Sequence, residues 1–112
     1  MKTVELTEIN FHHFVSNRQF VIVDIYTVAC PPCKFFATLF EEVAGMYENK
    51  ICFSKLDAGM FLSIAMELRV TPVPKLIFYV KGRLISINNV PAGIKAFKDL
   101  IEINFSDPGV KH

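Results

Sequence analysis

Phe20-Val21-Ile22-Val23-Asp24-Ile25-Tyr26-Thr27-Val28-Ala29-Cys30-Pro31-Pro32-Cys33 is the stretch on which the reading of this chain turns. Its first seven residues are apolar or aromatic everywhere except Asp24, the pattern of a central strand buried on both faces of a parallel sheet. After Cys33 the period changes. Phe36, Leu39, Phe40, Val43, Met46 and Tyr47 recur at helical spacing, while Lys34, Glu41, Glu42 and Glu48 take the other faces. The run predicts a strand, a turn, and a helix that starts at Pro32 and ends at Asn49-Lys50. A Cys-x-x-Cys at such a turn sets a sulfur at a helix N-terminus, where backbone N–H groups and the helix dipole favour the reactive thiolate.

Working outward, Thr3–Leu6 reads as a short strand and Asn10 as the cap of a helix over Phe11–Ser16. Downstream, Ile51–Leu56 reads as a strand. Phe61, Ile64, Ala65 and Leu68 mark a short helix that Thr71-Pro72-Val73-Pro74 stops. Lys75–Val80 is a strand, Lys81-Gly82 a tight turn, and Arg83–Ile87 its hairpin partner. Ile94, Phe97, Leu100 and Ile101 form the inward face of a last helix, roughly Ala92–Phe105. Strands and helices alternate, so the prediction is an α/β fold: a mixed four- or five-stranded sheet flanked by helices on both faces. Parallel neighbours come from the alternation and an antiparallel edge from the final hairpin. One domain is expected over residues 1–105, with 106–112 as a loose tail.

The 112 residues carry a formal net charge of +1 and no long run of like charge. That argues against nucleic acid and anionic membranes as partners. No stretch approaches the ~18 apolar residues of a membrane span, and Met1–Glu8 lacks the apolar centre of a signal peptide. A cytoplasmic location is expected. Three cysteines are too few for a disulfide framework. The Cys30/Cys33 pair therefore points to redox chemistry, with a zinc half-site or two inert thiols as the alternatives. Zinc would need about four ligands, there is no second Cys-x-x-Cys, and His12 and His13 lie far off in sequence. Cys52 is expected to be buried and inert, the two histidines to lie on a helix surface, and the eleven phenylalanines to be core. Asp24, set in an apolar run, is costly to bury as an ion and should have a raised pKa.

Asp24, the Cys30/Cys33 pair with Lys34 behind it, Lys55 in the next strand, Val73-Pro74 before the following one and Gly82 in the hairpin occur in an order and spacing that resemble the thioredoxin family, from about Leu6 to Phe105. The resemblance implies a thioredoxin fold and a thiol–disulfide oxidoreductase that reduces protein disulfides. Cys30 would be the exposed attacking sulfur and Cys33 the more buried resolving one. Asp24 would lie beneath Cys33 and relay its proton, with Lys55 paired to it. Pro74 would be cis and face the dithiol; the alternative for such a position is an ordinary trans proline opening a strand, a reading open for Pro72. Ala29, Pro31, Val73 and Val90 would form the substrate surface. The cysteine pair is itself the redox centre, so no cofactor and no metal are implied. The partners would be protein disulfides and a reductase or other thiol donor, met by a monomer. The family motif usually reads Trp-Cys-Gly-Pro-Cys-Lys. Here Ala29 replaces the tryptophan, Tyr26 stands where another is common, Thr38 replaces a helix-kinking proline, Lys75 a threonine and Val90 a glycine. The same fold run as a disulfide oxidase or isomerase, and a binding module without turnover, are the alternative readings.

Overall fold

A computed structural model describes residues 3–106, 109 and 110. Among these, the elements run β1 (Thr3–Glu5), α1 (Phe11–Ser16), β2 (Phe20–Tyr26), α2 (Pro31–Met46), β3 (Cys52–Asp57), α3 (Leu62–Leu68), β4 (Lys75–Val80), β5 (Arg83–Asn88) and α4 (Ile94–Asn104). The five strands form one mixed sheet in the order β1-β3-β2-β4-β5. This is the thioredoxin fold.

β2 lies at the centre, and its alternation divides the core in two. Phe20 and Ile22 face the cluster formed with Phe36, Phe40 and Val43 of α2 and Phe97 and Ile101 of α4. Val21, Val23 and Ile25 face the cluster formed with Phe11 and Phe14 of α1 and Ile64 and Ala65 of α3. By the same period-two rule Asp24 belongs to the α2/α4 side. α2 is seated by packed rings: Phe40 lies 5.3 Å from Phe53 and 6.1 Å from Phe97, and Phe36 lies 5.6 Å from Phe97. Such contacts fix the height and rotation of the helix that carries the cysteines.

Several expectations need correction. The antiparallel part of the sheet begins at β4, which pairs antiparallel with β2 and again with β5. α3 has seven residues and spans about 10 Å, half the length of a six-residue strand. It does not carry the chain back to a parallel start. Asn10 does not cap α1 through its side chain; its Oδ1 instead accepts from the Thr7 N–H at 2.8 Å. α2 starts at Pro31, one residue early, because proline suits the first helical turn where N–H groups have no partner anyway. Val73–Pro74 is cis, and so is Thr71–Pro72, against the trans reading open there; both fall in the tight bend that leads into β4. The tail is expected to be loose, yet Val110 is buried against the α2/α4 cluster. Residues 107, 108, 111 and 112 lie outside the described residues.

The hairpin turn is the one place where glycine is required. Lys81 and Gly82 both have positive φ, 49° and 82°, as a two-residue turn matching strand twist demands. A Cβ on Gly82 would also meet the Ser16 backbone at 3.3 Å.

Candidate active site

β2 ends at Tyr26, and four residues later the chain enters α2 with Cys30 as its N-cap residue. Cys30 and Cys33 are joined by a disulfide with Cα atoms 5.2 Å apart, one helical turn closing on itself. The Cys30 Sγ accepts from the Cys33 N–H at 3.2 Å. Pro31 and Pro32 precede that N–H in the first turn and bring no donors of their own. The helix N-terminus thus offers this sulfur fewer N–H groups than an ordinary first turn would.

Cys30 is 7% exposed and Cys33 4%. The expected contrast between an open and a closed sulfur is absent in this disulfide form, where both cysteines are buried. Ala29 and Pro31, on either side of Cys30, are exposed. Val73 and Pro74 are half-buried at the start of β4, and Val90 is half-buried in the segment between β5 and α4.

A groove of about 560 Å³ opens beside Pro31, lined by Phe35, Leu39, Val90 and Pro91 among others. Phe35 is 83% exposed, so it is not core as expected. Phe36, Phe40 and Val43 hold the buried face of α2 at four- and three-residue steps, and Phe35 falls about 100° off it. That offset was the available signal. Leu39, read from the sequence only as part of the apolar stripe of α2, and Pro91, read only as a loop residue, line the same groove. A second hollow of about 490 Å³, at the opposite end of β2 and β3, is lined by Phe20, Ile51 and Cys52 among others. Cys52 is half-buried there, rather than fully buried.

Asp24 is 1% exposed, and neither carboxylate oxygen has a hydrogen-bond partner among the described residues. Burial pushes its pKa from 3.8 up to about 7, against the pull of the Lys55 ammonium and with help from the Glu5 charge. Lys55 is opposite Asp24 in the β2–β3 register, but the expected direct pairing is not made. Its Nζ sits 4.9 Å from the centroid of the Tyr26 ring instead. The cation is attracted to the face of the ring, and the Tyr26 hydroxyl in turn donates to Glu5 Oε2 at 2.7 Å. Burial and that bond raise the Tyr26 pKa. His12 and His13 lie exposed on α1, as expected, with His12 Nε2 3.2 Å from Glu67 Oε1. Among the described residues no cluster of His, Cys, Asp or Glu is placed to hold a metal ion, and no helix is long and apolar enough to cross a membrane.

The thioredoxin family profile matches residues 2–102 of the chain. Thioredoxin from Buchnera aphidicola subsp. Schizaphis graminum is 34% identical over 105 residues, covering 92% of this chain and 96% of that protein. Thioredoxin-2 of Saccharomyces cerevisiae is 34% identical over 82 residues, covering 71% and 78%. The bifunctional thioredoxin reductase/thioredoxin of Mycobacterium leprae is 29% identical over 104 residues, and there the chain spans only 23% of the longer protein. With its sheet order, its closed cysteine pair at a helix N-terminus and these relatives, the chain belongs to the thioredoxin family and is a thiol–disulfide oxidoreductase of the protein-disulfide reductase type.

Proposed function

We propose that the chain reduces protein disulfides in two steps divided between Cys30 and Cys33, with Asp24 as the proton carrier. In the reduced protein the Cys30 thiolate attacks one sulfur of the substrate disulfide. A Cys30–substrate bond forms, and the other substrate sulfur leaves as a thiolate and takes a proton. Cys33 then loses its proton to Asp24 and attacks Cys30 Sγ. The second substrate thiol is released, and the Cys30–Cys33 disulfide remains. Two electrons have passed to the substrate. A reductase or another thiol donor returns them; the Mycobacterium leprae relative, named as a reductase and a thioredoxin in one protein, supports a reductase in that role. The observation that carries the reading is the cysteine pair at the α2 N-terminus above a face that buries Asp24.

Ala29, Pro31, Val73 and Val90 are proposed to receive the substrate segment, Val73 through its backbone beside Pro74. Lys55 supports Asp24 as a nearby positive charge. Phe35 extends the apolar surface beyond Pro31. The reading requires a reducing couple. Equilibration with glutathione buffers is expected to give the Cys30–Cys33 pair a potential below roughly −230 mV, on the reductase side of the scale. A value near roughly −120 to −180 mV would place it with oxidases and isomerases instead.

The two prolines add a further expectation. Pro31→Gly restores an N–H to the first turn of α2, where it can face the Cys30 sulfur. Ultraviolet thiolate absorbance should then show Cys30 ionising at lower pH than in the parent, and the disulfide should become easier to reduce. An unchanged or higher midpoint refutes the donor argument.

A further inference from the structure

One row of charge crosses the sheet beneath the dithiol helix. In the parallel register Glu5 of β1 is opposite Lys55 of β3, and Lys55 is opposite Asp24 of β2. All three lie on the side of the sheet that α2 and α4 cover, since their neighbours two residues away include Phe53 and Ile22 of that core. Tyr26, two residues beyond Asp24 on the same strand, closes the row: its ring lies against the Lys55 ammonium at 4.9 Å and its hydroxyl holds Glu5 Oε2 at 2.7 Å. Asp24 has no hydrogen bond to either oxygen. The cation is therefore held toward Tyr26 rather than bonded to the buried carboxylate.

We propose that Glu5 is a positioning residue for the resolving step: held by Tyr26, it competes with Asp24 for the Lys55 ammonium and so sets the charge state in which Asp24 meets Cys33. The inference rests on the reading that Asp24 carries the Cys33 proton. Glu5 is exposed on an edge strand, away from the sulfurs, and acts only through the cation. The other groups around Asp24 do not take its place. β4 offers the apolar Leu76 in register, and α4 presents Phe97 and Ile101. From α2 come Cys30 and Cys33, and Glu41, which accepts from the Thr3 hydroxyl on β1. Asp57, at the end of β3, acts on Tyr26. Among the described residues Lys55 is the cation this face brings to Asp24, and the Glu5 charge holds Asp24 toward its protonated form.

The test is the titration of the Asp24 carboxyl carbon by NMR in the full chain. Glu5→Gln, isosteric and exposed, is expected to lower the Asp24 midpoint by about 0.5 pH unit or more. Tyr26→Phe should move it the same way by less, because Glu5 loses its anchor and turns to water. Lys55→Gln should raise it. In the Lys55→Gln background the Glu5→Gln shift should fall to less than half, the signature of two residues acting through one another. An unmoved midpoint in Glu5→Gln overturns the proposal, and so does a shift of undiminished size in the Lys55→Gln background, which would mean plain repulsion. The pH profile of mixed-disulfide resolution should follow the NMR midpoint. A midpoint that moves as expected while that profile stays fixed would remove Asp24 from the proton transfer, a failure of the underlying reading rather than of the charge row.

Discussion

Cys30→Ser is expected to abolish disulfide reduction, by about 1,000-fold or more, while Cys33→Ser should leave the first attack intact and stop the second. The asymmetry follows from position. Cys30 is the cap residue of α2 and borders the exposed Ala29 and Pro31, whereas Cys33 lies one turn into the helix. Without Cys33 the mixed disulfide has no internal thiolate to resolve it, so the protein should accumulate bonded to its substrates. Non-reducing electrophoresis and mass mapping after incubation with a protein disulfide read this directly. Alkylation of the reduced protein adds an independent check, with Cys30 expected to react first. Faster labelling of Cys33 or of the half-buried Cys52 at neutral pH would overturn the assignment.

Asp24→Asn is expected to stabilise the fold at alkaline pH and to slow the enzyme. Folding raises the Asp24 pKa from 3.8 to about 7, so the folded chain binds this proton more tightly than the unfolded one. Well below pH 3.8 the group is protonated in both states and contributes no difference. Stability is then lost as pH rises through the unfolded and on to the folded value. Complete ionisation costs about 4 kcal/mol at full effect. Asparagine removes that loss but leaves a buried amide without partners, so the net gain at pH 8 should be nearer about 2 kcal/mol. Denaturant melts of both proteins at pH 4 and pH 8 test it: the variant should be the less stable at pH 4, where only the unpartnered amide counts, and the more stable at pH 8. Resolution of the mixed disulfide should slow by about 100-fold, the usual size of a general-base contribution. Equal stability at both values, together with unchanged kinetics, would leave Asp24 without either effect.

Where the sequence announces a period, the structure follows it closely. β2 and β4 occupy the residues that their apolar runs mark, and the Lys81-Gly82 turn takes the backbone its composition demands. Asp24 was legible for the same reason, as a charge in a strand with no exposed face. What escaped depends on relations between elements that are far apart in sequence. The direction of β4 is decided by how far α3 can carry the chain, and a local pattern says nothing of that. The family resemblance paired Lys55 with Asp24, yet the Tyr26 ring and Glu5, from two other strands, decide where its ammonium rests. Cys30 is buried beside Cys33 in the disulfide form, not exposed as expected. Phe35 was misplaced by residue type, since aromatic side chains read as core unless the helical angle is followed one residue at a time.

The antiparallel pairing of β2 with β4 also has a consequence for biosynthesis. β4, which pairs with β2 on one side, starts at Lys75, 42 residues after Cys33. A ribosome adding roughly 5–20 residues per second takes on the order of 2–8 seconds to reach it. Through that interval the nascent chain carries both thiols without β4, the strand that completes the pairing of β2 on that side, a delay that thiol labelling of chains cut before Lys75 reads directly.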